Sequence, residues 1–408
     1  MLFIQWITKQ NNRFFLTCAA AVLYGIIVLP GTLSAADYTL YGEITGSGTS
    51  HHYDEDLGDQ EHDVTGILEV DANHRVSLDA GEFFAHHSLS LDQKPALNHH
   101  LYEAYFGIPA GPFMFELGKQ RINWGFGYMF SPTDALHPAE QEVGSHFVDD
   151  EEGFMGTAIT FTPVADLSIT AALRLDDLFS AEDDLAEELR YAGYVSAFID
   201  PFDIFGSFVY QWEDVLRPGA GVSVQLLDFI ISGDVAVEFY NRVDYPEEDD
   251  NVRITADTPE RGEPYWAVEA ALERSFYLDD ITITPIVEYG YREWGYSRDE
   301  TELYIDLLRT PSAMAIAELD TTPGLLIGKQ YLTCSIDFVW TNRFSVNAGV
   351  LVNLLDSSTA FNGELTALFL PGIDFYVKSL WLTGDEDESE FGSYAEDVSV
   401  SSGVRVHF

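Results

Sequence analysis

The sequence predicts an all-β protein: a transmembrane, antiparallel, up-and-down β-barrel of about eighteen strands (16–18). Three observations predict it. Segments of roughly ten residues alternate apolar with polar along the chain. The connections between them alternate short with long. The segment from Glu396 onward alternates up to Phe408. In it Val398, Val400, Ser402, Val404, Val406 and Phe408 share one parity, and Asp397, Ser399, Ser401, Gly403, Arg405 and His407 share the other.

Composition fits this class. The chain has 408 residues, 14% of them aromatic. Its mean hydropathy is -0.03, which excludes a helical membrane protein. A barrel gives such a value because lipid-facing and water-facing residues cancel. The formal net charge is -48. Such a surface repels nucleic acid and favours cations, and it also suits a saline habitat. Of the two cysteines, Cys18 and Cys334, only Cys334 follows the leader, so neither an intramolecular disulfide nor a cysteine metal site is expected.

Residues 1–36 read as a signal peptide. Lys9 and Arg13 supply its positive region, Phe14 to Val28 its apolar core, and Ser34, Ala35 and Ala36 its cleavage site. Residues 37–408 read as one barrel domain. After Ala36 there is no apolar run of ~20 residues, so no transmembrane helix is expected.

The strands are expected at 37–46, 62–72, 75–86, 98–109, 111–121, 153–163, 166–176, 188–200, 202–213, 216–227, 229–242, 263–275, 280–292, 325–340, 343–354, 360–371, 373–383 and 395–408. Three alternate most clearly. In 166–176, Leu167, Ile169, Ala171, Leu173 and Leu175 oppose Ser168, Thr170, Ala172, Arg174 and Asp176. In 229–242, Phe229, Ile231, Gly233, Val235 and Val237 oppose Ser232, Asp234 and Glu238. In 343–354, Phe344, Val346, Ala348, Val350 and Val352 oppose Ser345, Asn347 and Asn353. Strands 202–213 and 373–383 alternate poorly. Short turns are expected at 72–74, 109–111, 163–165, 200–201, 228, 277–279, 341–343 and 371–372, and long connections at 47–61, 87–97, 122–152, 177–187, 243–262, 293–324 and 384–394. Short periplasmic turns with longer extracellular loops are the pattern of such barrels, and an even strand count puts both ends in the periplasm.

Acidic runs fall in the long connections: Asp54 to Asp56, Asp149 to Glu152, Glu182 to Asp184, Glu247 to Asp250 and Asp385 to Glu388. They suit a solvated rim, a cation-concentrating vestibule, or sites for Ca²⁺ or Mg²⁺, since hard cations prefer carboxylate oxygens. No other cofactor is expected. Parity points Arg174, Arg190, Asp234, Glu238, Glu269, Glu288, Lys329, Lys378 and Arg405 into the lumen. Eight of eleven histidines precede residue 101. Of these, His51, His52, His62, His86 and His99 are weak candidates for a transition metal. Neighbouring histidines point to opposite faces of a strand, which argues against one shared site. No G-x-S-x-G element or nucleophile–base pairing is present, so no enzyme is expected.

The final strand, ending in Phe408, resembles those of bacterial outer-membrane β-barrel proteins, where that position carries an assembly signal. A second segment, Gly118-Lys119-Gln120-Arg121-Ile122-Asn123-Trp124-Gly125 followed by Ser131-Pro132-Thr133-Asp134, resembles an element of porin-like families of Gram-negative-type outer membranes. Those families include diffusion channels and exporters of acidic polysaccharide. Export of an anionic polymer needs a strongly basic lumen, and this chain is sparing with Lys and Arg.

The expected function is an outer-membrane porin, a passive and cation-preferring channel for small hydrophilic solutes, monomeric or homotrimeric. Its partners are outer-membrane lipid, the β-barrel assembly machinery and the solutes. The alternative is a surface adhesin or structural outer-membrane protein with acidic, cation-binding loops. The long connection from Ile122 is expected to fold inward and narrow the channel. Apolar rings there need a packing partner, and the proline at 132 stiffens the chain. Arg121, Trp124, Phe126, Tyr128 and Asp134 are its candidate constriction residues.

Overall fold

The structure is a computed structural model describing residues 37–53, 62–78, 81–91, 97–133, 153–175, 189–211, 215–239, 245–249, 253–257, 264–309, 326–341, 343–385, 388–393 and 396–408. Eighteen strands form the wall, in chain order: β1 Asp37–Tyr53, β2 His62–Leu78, β3 Gly81–Leu91, β4 Leu97–Ala110, β5 Phe113–Gln120, β6 Phe154–Val164, β7 Leu167–Arg174, β8 Arg190–Ile199, β9 Phe202–Gln211, β10 Val215–Leu226, β11 Phe229–Glu238, β12 Tyr265–Arg274, β13 Ile281–Arg292, β14 Gln330–Trp340, β15 Phe344–Asn353, β16 Thr359–Leu370, β17 Ile373–Thr383 and β18 Glu396–His407. A break at Ser275 splits the end of β12 from a short continuation, Phe276–Leu278, which still pairs with β13. Every neighbour is antiparallel, and β1 pairs with β18 to close the sheet. Phe408 seals that seam: its N–H donates to Gly42 O at 2.9 Å, and its O accepts from Gly42 N at 3.0 Å.

Alternation sorts the two faces. Along β11, Ser232, Asp234, Ala236 and Glu238 are buried, whereas Ile231 is exposed. Strand pairing carries this parity to the neighbours, where Phe208, Val222, Leu272 and Val287 stand exposed on the outward side. A barrel in lipid shows such a face, since acyl chains replace the missing packing partners.

One rim carries tight turns. Gly111 and Gly372 take φ of 63° and 78° there, a left-handed region that favours glycine. The opposite rim carries the longer connections. They include a small hairpin, Tyr245–Asp249 with Arg253–Asp257, and a helix, α1, Arg298–Arg309.

The main correction concerns β2. The expected turn at 72–74 lies inside the strand, where Ala72, Asn73 and His74 pair across to His87, His86 and Ala85. Ladder bonds on both edges outweigh the turn preference of Asn73, and the chain reverses after Leu78 instead. β1 also continues to Tyr53, beyond the expected end at 46. Strands β9 and β17 form despite weak alternation, and α1 was not expected.

Candidate functional site

The interior is crossed by the segment that follows β5. Gln120, buried, ends the strand, and the chain leaves the wall at Arg121, whose N–H donates to Glu103 Oε1 at 3.0 Å. Trp124 then packs into a cluster with Phe154, Ala158, Ala172, Ala192 and Val209, and its ring stacks on Tyr194 at 5.2 Å. Gly125 has a φ of 122°. A Cβ there would lie 2.1 Å from Ser131 Oγ and 2.5 Å from Asp234 Oδ2, so only glycine fits.

From this point wall carboxylates hold the backbone. Asp234, midway along β11, accepts from Phe126 N–H at 2.8 Å and from Thr133 Oγ1 at 3.4 Å. Glu288 on β13 accepts from Met129 and Phe130 N–H, both at 2.9 Å. Tyr128 donates its hydroxyl to Glu273 of β12, and burial followed by that contact pushes the phenol pKa upward. Phe126 sets its ring edge against Phe205, and Phe130 stacks on Tyr331 at 5.4 Å. Ser131 Oγ closes the segment on itself through Trp124 O at 2.7 Å. Residues 121–133 thus form a strap running from the β8–β9 wall to β14. Hydrogen bonds to a charged acceptor contribute roughly 1.5–3 kcal/mol each, so the strap is firmly seated.

Of the expected constriction residues, Arg121, Trp124, Phe126 and Tyr128 lie on this strap, and Asp134 lies outside the described residues. Trp124 is buried and cannot line a passage, whereas Tyr128 is half exposed. Glu269 stands beside Asp234 across the β11–β12 pair, and Glu288 lies on the next strand. All three are buried, and they make β11 to β13 an acidic wall facing the strap.

The other expected lumen charges fall elsewhere on the inner face. Arg174 and Arg190 are direct cross-strand partners, and Arg190 Nη2 donates to Gln211 Oε1 at 2.9 Å. Glu238 pairs with Arg217. Lys378 lies 3.4 Å from Glu364, and Arg405 lies 3.2 Å from Glu43. Lys329 precedes β14 rather than lying in it, and it approaches Glu300 of α1 at 3.9 Å. Sequence reasoning missed Arg217, Glu273, Glu43 and Glu364. All four fall in expected strands, and their parity was readable.

A second connection also docks onto the inner wall. Phe391 packs with Leu326, Tyr331, Leu351, Ala360 and Leu382, against Met129 and Phe130 of the strap. Glu390, fully buried, accepts from Ile327 N–H at 2.8 Å, Tyr331 OH at 2.7 Å and Asn353 Nδ2 at 2.8 Å. Burial pushes its carboxyl up to about 7.

Among the metal candidates, His86 is taken by Asp71 at 2.9 Å, and His99 lies against the ring of His87. The side chains of His51, His52 and His62 lie outside the described residues. Among the described residues no group of three or more His, Cys, Asp or Glu is arranged to hold a metal. The acidic runs at 54–56, 149–152 and 182–184 lie outside the described residues. Glu388 pairs with Arg298 at 2.6 Å.

The sequence matches no protein-family model and no curated protein. The structure is similar to solved eighteen-strand porin-like barrels. OccK11 (OpdR) of Pseudomonas aeruginosa superposes with a TM-score of 0.55 at 8% identity, over 91% of this chain and 96% of that one. A BenF-like porin from Pseudomonas fluorescens Pf-5 gives 0.54 at 10% identity, over 93% and 100%. OccK2 (OpdF) of P. aeruginosa, in complex with glucuronate, gives 0.55 at 10% identity, over 91% and 98%. At these identities the likeness establishes the fold: a closed, antiparallel, porin-like barrel.

Proposed function

We propose that the protein is a porin of the bacterial outer membrane, a passive diffusion channel for small hydrophilic solutes that prefers cations. The observation carrying this reading is the strap. A closed barrel of eighteen strands is wide enough for water. A segment seated across its interior by Asp234 and Glu288 divides and narrows that space. Cation preference is supported by Glu273, half-buried on the inner face beside Tyr128, and by the net charge of -48.

On this reading the rim of long connections faces outward from the cell, and both ends of the barrel face the periplasm. Residues 1–36 direct secretion, and Phe408 serves recognition by the assembly machinery. The remaining acidic connections are open to Ca²⁺ or Mg²⁺. A second solute class is favoured by the Arg174–Arg190 pair: small carboxylates, the chemistry of the glucuronate held by OccK2.

The test is a planar-bilayer recording of the full chain under a salt gradient. Discrete conductance steps and a cation-directed reversal potential that shrinks in high salt are expected. Absence of steps refutes the channel. An anion-directed potential refutes the cation preference and supports the arginine reading.

A further inference from the structure

Several arginines of the chain pair with carboxylates: Arg217 with Glu238, Arg405 with Glu43, and Arg298 with Glu302 and Glu388. Arg274 and Arg343 are placed differently. Arg274 ends β12, where register sets it opposite Phe229, on the parity of the exposed Ile231 and Leu272. It therefore stands on the outer wall, at the rim of tight turns. Its Cζ lies 4.7 Å from the Phe229 ring centroid and 4.4 Å from that of Phe276. Arg343 lies on the same rim, in the turn between β14 and β15. Its Cζ is 4.4 Å from the ring of Trp340, which shares the parity of the exposed Ile336. Between the two arginines, Phe276, Ile283 and Phe338 follow one another across the outer face by register.

A chain with 68 acidic and 20 basic residues thus sets two guanidinium groups among aromatic rings at the water edge of its lipid-facing wall. Amphipathic rings suit that boundary without any charge beside them. The rings attract the cation without using its N–H groups. Arg274 has five N–H donors, and among the described residues they meet one acceptor, Asp228 Oδ2 at 3.5 Å, on an exposed side chain. Nε is buried and has no partner there. At that range the carboxylate is a loose partner. A planar fork of donors matches the two non-bridging oxygens of a phosphodiester. A headgroup with no cation of its own leaves its phosphate to the arginine.

The neighbouring turns suit the same boundary. Leu227 tips the β10–β11 turn at 91% exposure and with a φ of 59°, a conformation more usual for glycine or asparagine. Tyr277 and Leu278, in the next turn along the rim, are exposed as well. The Asp228–Arg274 contact links these two turns, so the cation has apolar tips on either side. Such side chains gain little from water and find apolar contact at the edge of a bilayer.

We propose that Arg274, flanked by Phe229 and Phe276, binds the phosphodiester headgroup of an anionic phospholipid in the leaflet at the tight-turn rim, with Arg343 extending the site along that rim. Leu227, Tyr277 and Leu278 supply its apolar surroundings. The inference rests on the barrel lying in a membrane, which the bilayer recording tests separately: a conducting barrel that fails the lipid test overturns this inference alone. The test holds the full chain in neutral detergent micelles and counts bound lipid by native mass spectrometry. Phosphatidylglycerol and phosphatidylcholine of the same acyl length are offered in equal amounts. Retention should favour phosphatidylglycerol about tenfold, the equivalent of one charge-assisted hydrogen bond. Excess inorganic phosphate should not displace it, since that anion lacks the acyl contacts. Arg274→Gln should remove most of the preference, and Arg298→Gln, on α1 at the opposite rim, should leave it unchanged. Equal retention of the two lipids by the parent chain overturns the proposal whether or not the variants fold. So does displacement by phosphate, which marks a site for soluble anions, and so does an undiminished preference in folded Arg274→Gln.

Discussion

Replacing Glu288 by alanine isolates the strap's attachment from the barrel that carries it. The carboxylate accepts two backbone N–H groups, from Met129 and Phe130, both at 2.9 Å. At roughly 1.5–3 kcal/mol per bond to a charged acceptor, the pair holds the strap by at least about 3 kcal/mol. Water in the lumen rehydrates the freed N–H groups, so the lower figure applies. That is about a hundredfold in the ratio of seated to released strap. Asp234 keeps its own bonds to Phe126 and Thr133, so release begins at the Met129 end. The wall itself is untouched, because strand pairing at Glu288 runs through the backbone to Thr333 and Ala271. Single-channel recording should show raised mean conductance with added flicker. Gly125→Ala should act in the same direction, since its Cβ collides with Ser131 and Asp234. A folded Glu288→Ala protein with the conductance and noise of the parent refutes the idea that the strap sets the passage.

Further expectations follow from other parts of the barrel. Val235→Arg puts a cation on the outward face near the middle of β11 and should cost ~2–4 kcal/mol in folding into liposomes; an unchanged folding yield would overturn the parity. Glu390 gives a pH dependence. Its docked carboxyl titrates at about 7 against 4.5 when released. The docked state therefore binds the proton more tightly, and docking of 388–393 should be firmest in acid and weaken as pH rises from 4.5 to about 7. The charged or titratable groups around it are Tyr331, Asp356 and Arg292. Faster amide exchange of Phe391 at pH 8 than at pH 5, lost in Glu390→Gln, checks this after correction for intrinsic exchange.

Much of the wall was legible because lipid on one side and water on the other impose a two-residue period. That period is clear in β7, β11 and β15, and along β11 Asp234 and Glu238 fall on the buried face. The misread turn at 72–74 shows where such reading fails: Asn73 favours turns locally, but its pairing with Tyr41 and His86 is a property of the sheet. Helix α1 left a signal that a search for strands passed over. Ser297 and Glu300 form a reciprocal cap, with Ser297 N–H donating to the Glu300 carboxylate and Glu300 N–H meeting Ser297 Oγ at 3.4 Å. Glu390 was not legible, because an acid destined for burial looks the same in sequence as its exposed neighbour Glu388. The histidines were visible only as abundance, and the pairing of His86 with Asp71 needed the register of β2 and β3.

The seam between β1 and β18 also fixes how freely the chain could be rewired. Phe408 lies beside Gly42, so the two ends of the wall share one rim. In connectivity the barrel is a ring of hairpins with no privileged starting point. Opening it at Gly111 and bridging residue 408 back to residue 37 would permute the order of strands and leave every ladder bond in place. The strand delivered last would then be β4 rather than β18. Order of synthesis and geometry are separable properties of this wall.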